Sequence, residues 1–226
     1  MHLSRIQLNP RRRDARHLLA SPQRLHAAVL ASFPDPPTGD TAGDARVLWR
    51  LDTEADGRVL LYVVSPDRPD FAHLAEQAGW PSTERGVTKD YDAFLGRLAA
   101  GQRWAFRLTA NPTQYVRPES GGRAKRVAHV SVPYQEKWLT ERAEPAGFRI
   151  ARTTIGESES AVLTVTRRST QQFSRRGTSR PVTLAVAQFD GVLDVLDADA
   201  LRRTLVSGIG PAKAYGCGLL TLAPAS

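Results

Sequence analysis

The stretch Asp197-Ala-Asp-Ala-Leu201-Arg-Arg-Thr-Leu205-Val206-Ser-Gly208-Ile-Gly210-Pro-Ala-Lys213-Ala-Tyr-Gly216-Cys-Gly218-Leu-Leu-Thr-Leu-Ala-Pro224 sets the topology. Asp197 is an N-cap residue, and Leu201 and Leu205 stand one helical turn apart, so a short helix is predicted to begin there. Four glycines around Lys213 follow, and then a short apolar strand. A P-loop also joins glycines to a lysine, but it runs strand, loop, helix, with the helix N-terminus facing the phosphate. Here the order is reversed, and the glycines follow a helix C-terminus, whose dipole disfavours anions. Nucleotide hydrolysis is therefore not expected. The glycines either allow strand and helix backbones to approach closely or let N–H groups crowd toward a ligand, and the helix and strand close a folding unit.

Upstream, the same kinds of element recur in the same order. His2 to Leu8 alternates as a strand, and Ser21-Pro22 opens a helix as N-cap and first helical residue. Arg46 to Leu51 and Arg58 to Val64 form a hairpin through Asp56-Gly57, Pro69 to Gln77 reads as a second helix, and Thr88 to Tyr91 as a short closing strand. Gly96 to Gly101 reads as a connector. The second unit begins with the alternating strand Arg103 to Thr109, which stops at Asn111-Pro112. A short strand at Arg126 to Val132, a helix from Pro133 to Ala143, strands at Phe148 to Thr154, Ala161 to Thr166 and Val182 to Phe189, and a turn at Gly191 before Val192 to Leu196 lead to the terminal helix and strand. The expectation is an α+β protein of two tandem ferredoxin-like domains, residues 1–97 and 102–226, each an antiparallel sheet with helices on one face.

Composition narrows the function. The 226 residues carry a formal net charge of +8. The first 100 hold 13 basic and 13 acidic side chains and the remainder hold 18 and 10, so the excess lies in the second half. Ser160 to Gln188 contains Arg167, Arg168, Arg175, Arg176 and Arg180 with no acid. Such a stripe is the footprint of a polyphosphate partner, or else a solvated basic face. The segment between the strands ending near Thr166 and beginning near Val182 is too long for a tight turn. It reads as a projecting arginine-rich hairpin able to enter a groove of structured RNA, or as a surface loop. The single cysteine, Cys217, excludes a disulfide framework and any cysteine-based zinc site. The N-terminal residues alternate instead of forming a signal-peptide core, and no apolar run approaches the about 20 residues of a membrane span, so a cytoplasmic protein with no membrane association is expected.

Few residues are placed for chemistry. The five histidines show no ligand spacing, so no metal site is indicated. No Gly-x-Ser-x-Gly elbow, dinucleotide fingerprint or RNA-recognition sheet motif is present. His73 reads as structural or solvated. His26 falls in the first turns of the helix opened by Ser21-Pro22, one step around from the apolar face of Leu25, Val29 and Phe33, with Gln23 one turn earlier. A histidine bordering a core beside a polar neighbour is fit for proton transfer near pH 7, and equally for a merely structural place.

Leu8-Asn9-Pro10 with Arg16, Ser21-Pro22 with His26, Leu48-Trp49-Arg50, Phe106-Arg107-Leu-Thr-Ala110-Asn111-Pro112, Lys125-Arg126-Val127 and Gly208-x-Gly210-x-x-Lys213-Ala214-x-Gly216-x-Gly218-Leu-Leu together resemble the CasE family, the CRISPR repeat-processing endoribonucleases of the type I-E Cascade complex. The resemblance runs from Met1 to Pro224. It implies two ferredoxin-like domains and cleavage of the repeat hairpin in precursor RNA by attack of a ribose 2′-OH on the adjacent phosphate. It also implies no metal or other cofactor, and a product that stays bound. The partners it implies are the CRISPR repeat hairpin and other Cascade subunits, around a protein that is monomeric when free. His26 matches the family's catalytic histidine. Gln23 stands where other members carry a tyrosine, and alanine stands at position 31 where some carry a lysine. Glutamine can orient or donate but cannot serve as a base. The candidate catalytic residues are thus His26 and Gln23, with Arg12, Arg13 and Arg16 available from the preceding loop. Arg12, Arg13, Lys125, Arg126, the five arginines of the stripe and Lys213 are candidates for holding RNA, although Lys213 could instead lay its stem over the glycines. The alternative is a scaffold that binds structured RNA without cutting it.

Overall fold

In the computed structural model, residues 1–35, 46–81, 86–118, 121–156, 158–173 and 181–225 are described. The first half of the chain runs β1 (His2–Leu8), α1 (Arg13–Leu19), α2 (Pro22–Leu30), β2 (Leu48–Thr53), β3 (Val59–Ser65), α3 (Ala72–Ala78) and β4 (Val87–Asp90). Its four strands form an antiparallel sheet in the order β2-β3-β1-β4, the split β-α-β arrangement of a ferredoxin-like unit. The alternation read in His2 to Leu8 is what selects this sheet, because Ile6 and Leu8 fall on one face of the pleat and are buried under the helices.

A short helix, α4 (Asp92–Leu95), leads into the second half: β5 (Arg103–Ala110), β6 (Thr113–Val116), β7 (Lys125–Ala128), α5 (Val132–Ala143), β8 (Phe148–Ile150), β9 (Arg152–Ile155), β10 (Ser158–Ala161), β11 (Leu163–Phe173), β12 (Val182–Val195), α6 (Ala198–Ser207), a 3-10 turn (Lys213–Tyr215) and β13 (Leu220–Pro224). The sheet order β11-β12-β5-β13 repeats that of the first half, and the double ferredoxin-like fold expected from the sequence is present. Its second strand is split, since β8 and β11 pair with successive stretches of β12 while the hairpin β9–β10 leaves the sheet between them.

Several elements differ from their expected form. Gly191 makes no turn: β12 runs unbroken through it, paired with Leu163 on one side and Phe106 on the other. A Cβ there would stand 2.4 Å from the Val162 carbonyl oxygen, so glycine serves close packing at the split. Phe148 to Thr154 is two strands in two sheets. Lys125–Ala128 pairs with Thr113–Val116 in a separate hairpin. The presumed connector is preceded by α4, and Leu95 and Leu98 are buried in the second core. Arg13 and Arg16 lie on helix α1, with Arg12 as its N-cap, rather than in a loop. The first part of the arginine-rich segment, Arg167 to Phe173, is strand, for β11 and β12 pair as far as Phe173 with Val182; residues 174–180 lie outside the described residues.

The caps agree with expectation. Pro22 is the first residue of α2 after an extended Ser21, although the Ser21 hydroxyl makes no capping bond. The Asp197 carboxylate accepts from the N–H groups of Asp199 and Ala200 at the start of α6. No helix among the described residues is long and apolar enough to cross a membrane.

The edge strand β2 joins the halves. Because successive side chains point to opposite faces, Leu48 enters the core shared with the second half while Trp49 enters the core under α1 to α3. Arg50 is 2 % exposed. It makes a two-armed pair with Asp52 at 2.7 and 2.8 Å and donates to the carbonyls of Arg107 and Leu219 in the second half.

Candidate active site

His26 sits on α2 as the sequence suggests, with Leu25, Val29 and Phe33 buried beside it and its own ring half-buried. Its one hydrogen-bond partner among the described residues comes from β2: the Trp49 indole Nε1–H donates to His26 Nδ1 at 3.3 Å. Burial holds the ring's pKa below the ordinary imidazole value. Gln23 lies one turn earlier, its Oε1 buried and without a partner among the described residues.

The glycine-rich segment wraps around the edge strand that carries Trp49. A Cβ at Gly208 would meet Leu48 at 3.0 Å, and one at Gly216 would stand 2.6 Å from the Trp49 ring. Gly216 has φ +80°, a left-handed conformation suited to glycine. The glycines therefore serve close packing, the first of the two readings, and this brings the 3-10 turn against both α2 and β2. Lys213 lies on that turn with its stem over Gly218, and desolvation, followed by the Arg46 charge, lowers its pKa.

The remaining candidates fall into separate groups. Arg12 is tied to the Gly79 carbonyl at 3.2 Å, whereas Arg13 is exposed. Arg167 and Arg168 are exposed on β11, just past a bulge after Val165. Arg167 reaches Thr53 Oγ1 of β2 and Arg168 the Val130 carbonyl, each at 3.2 Å. Arg175, Arg176 and Arg180 lie outside the described residues. Lys125 and Arg126 are exposed on the β6–β7 hairpin, where Arg126 donates to the Tyr115 hydroxyl at 2.6 Å and stacks its guanidinium 5.2 Å from that ring.

Next to this hairpin lies a groove of about 550 Å³, walled by Tyr115, Arg126, His129, Tyr134, Lys137 and Arg142 among others. Tyr115 is 68 % and Tyr134 61 % exposed, and His129 stacks on Tyr134 at 5.9 Å. Exposed aromatic rings beside guanidinium groups suit both bases and phosphates. Aromatic contacts were not expected, because no strand carries the aromatic run of an RNA-recognition sheet. Tyr115 and Tyr134, one on each side of the Lys125-Arg126 pair, were the available signal.

Two ferredoxin-like units with a half-buried histidine at their seam and arginine-bearing hairpins on the second define a class of RNA-handling protein. A family model described as "CRISPR associated protein" matches residues 1–224, and the chain belongs to that family, the one of the CasE proteins. The chain is 29 % identical to the CRISPR-associated endoribonuclease Cse3 of Thermus thermophilus over 231 residues, covering 99 % of this chain and 100 % of that protein. It is 31 % identical to the Cascade subunit CasE of Escherichia coli over 192 residues, covering 78 % of this chain and 88 % of that protein. A solved structure of the endoribonuclease Cse3 bound to a 19-nucleotide RNA superposes with a TM-score of 0.79 at 28 % identity, covering 99 % and 100 % of the two chains.

Proposed function

We propose that this protein binds the stem-loop of a CRISPR repeat and cleaves the precursor RNA there by 2′-OH attack on the neighbouring phosphate, without a metal ion. It then stays on the product as a subunit of Cascade. The observation that carries the reading is the half-buried His26 at the junction of the two halves, which the resemblance matches to the family's catalytic histidine, in a chain similar over its whole length to a named endoribonuclease. His26 serves as general acid or base at the scissile phosphate, and Gln23 orients it or the RNA. Arg13, Arg167, Arg168, Lys125 and Arg126 hold the phosphates. We place Arg175, Arg176 and Arg180 in the same surface on charge alone. Arg12 and Lys213 are further residues of the RNA-holding set. The domains divide as 1–97 and 102–226, and the free protein is a cytoplasmic monomer that joins its RNA and the other Cascade subunits.

His26→Ala tests this. With repeat RNA in EDTA, the wild-type protein is expected to yield a fragment ending in a 2′,3′-cyclic phosphate or 3′-phosphate. The variant should cut about 10² to 10⁴ times more slowly with nearly unchanged binding. Binding with no cleavage by the wild-type protein would leave an RNA scaffold, the reading that Gln23 in place of tyrosine favours. Loss of cutting in EDTA would remove the metal-free assignment.

A further inference from the structure

We infer that Trp49, backed by Gly216, is a positioning residue that fixes His26 as a neutral imidazole carrying its proton on Nε2, so that the ring meets the RNA as a hydrogen-bond donor. This rests on His26 being the residue at the scissile phosphate.

The indole nitrogen of tryptophan donates and has no lone pair to accept with. The 3.3 Å contact from Trp49 Nε1 therefore requires His26 Nδ1 to present its lone pair, and a neutral ring then bears its hydrogen on Nε2. Both other states of the ring, the Nδ1–H tautomer and the imidazolium, would set one N–H against another. Burial opposes the imidazolium as well. Trp49 is not free to turn away. It is 2 % exposed, and Gly216 packs against the edge of its six-membered ring, where a Cβ would stand 2.6 Å from Cζ3 and 2.9 Å from Cη2.

Among the described residues, no ionisable side chain is hydrogen-bonded to or ion-paired with the ring. On α1, His17 is turned to Arg24 at 3.2 Å and Asp14 and Arg16 are exposed; on α3, His73 meets the Ala28 carbonyl at 3.0 Å and Glu76 is exposed. On β2, Arg50 and Asp52 pair with each other, and Lys213 of the 3-10 turn lies over Gly218. No ion pair to His26 is present among the described residues.

A neutral ring with its proton on Nε2 cannot take the 2′-OH proton at that nitrogen. That excludes the base role of the two proposed above and leaves the ring on the donor side, where it stabilises charge developing on a phosphorane oxygen or on the departing 5′-oxygen as a neutral imidazole electrophile. The bond from the 2′-oxygen to phosphorus forms as that from phosphorus to the 5′-oxygen breaks. The 2′ proton passes to solvent, the 5′-oxygen gains one from water, and His26 ends as it began.

The test uses the full chain, ¹⁵N-labelled, with His26 ring nitrogens assigned by comparison with His26→Ala. Long-range ¹H–¹⁵N spectra of the wild type are expected to show an unprotonated Nδ1 and a protonated Nε2 across neutral pH. Trp49→Phe keeps an aromatic ring and removes the indole N–H. It is expected to raise the His26 pKa and to slow single-turnover cleavage about five- to tenfold, the worth of one hydrogen bond, with repeat affinity unchanged. Gly216→Ala should reproduce the pKa rise by displacing the indole. A protonated Nδ1 in the wild type, or an unmoved His26 pKa in Trp49→Phe, would overturn the inference. Wild-type cleavage by His26→Ala would instead overturn the active-site assignment and leave the tautomer result standing.

Discussion

Arg50 and Asp52 face each other across one pleat of β2 in a sealed two-armed ion pair, 2 % and 3 % exposed, at the point where the two halves of the chain meet. Both Nη1 donors go to carbonyl oxygens, those of Arg107 and Leu219. Arg107 is itself bonded to Asp190 at 2.6 and 3.1 Å, and Thr166 donates to the same carboxylate at 2.8 Å. The seam is thus a polar network with its groups mutually satisfied. Removing one member leaves a buried charge and orphaned carbonyls.

Arg50→Ala is expected to lower stability by about 3–5 kcal/mol, because Asp52 would stay buried with only the more distant Arg107. Denaturant unfolding of the variant against the wild type measures it. A loss below about 1 kcal/mol would mean that water enters the seam and replaces the guanidinium.

Gly191→Ala isolates a steric effect, since this glycine lies within β12 and outside the left-handed region. The added methyl would meet the Val162 carbonyl and the Phe106 ring, at a cost of about 1–3 kcal/mol. A melt unchanged from wild type would show that β11 shifts freely at the split.

Burial lowers the His26 pKa from the ordinary 6.5. The unfolded chain then binds more protons than the folded one between the lowered value and 6.5. His26 therefore adds to the rise of stability with pH across that window and contributes nothing further above it. If the neutral ring is the active one, single-turnover cleavage should hold at pH 7 and fall only below 6.5. A rate that falls on the alkaline side of 6.5 would show the imidazolium to be required.

Arg126 and Tyr115 are expected to separate under salt. Arg126→Ala should weaken repeat binding and reduce the salt slope by about one, the signature of a lost phosphate contact. Tyr115→Ala should weaken binding with the slope unchanged, because stacking releases no counterion. Fluorescence anisotropy titrations at several salt concentrations decide it, and an unaltered affinity in both variants would remove the groove from the RNA surface.

The Cys217 thiol is buried beside the glycines, and desolvation pushes its pKa up to about 12. Native protein at pH 8 should resist thiol reagents and react fully once unfolded. Rapid native labelling would show that the glycine-rich segment opens readily.

Local pattern carried most of the architecture. Alternation in His2 to Leu8 and Arg103 to Thr109, the Ser21-Pro22 and Asp197 starts, and the reversed order of helix, glycines and strand depend on backbone geometry and burial over a few residues. They sufficed for the double ferredoxin-like fold and for the place of His26 on its helix. They did not suffice where an element is defined by its partner. Gly191 looks like a turn until two strands are seen to cross it, and Lys125–Ala128 is a strand because Thr113–Val116 pairs with it. The environment of His26 belongs to the same class. Trp49 is 23 residues away and reaches the ring only because β2 turns alternate side chains to opposite faces, and Gly216 comes from the far end of the chain to hold it there. A sequence can state that a histidine borders a core. Which of its nitrogens keeps the proton is decided by a hydrogen bond between elements that only folding brings together.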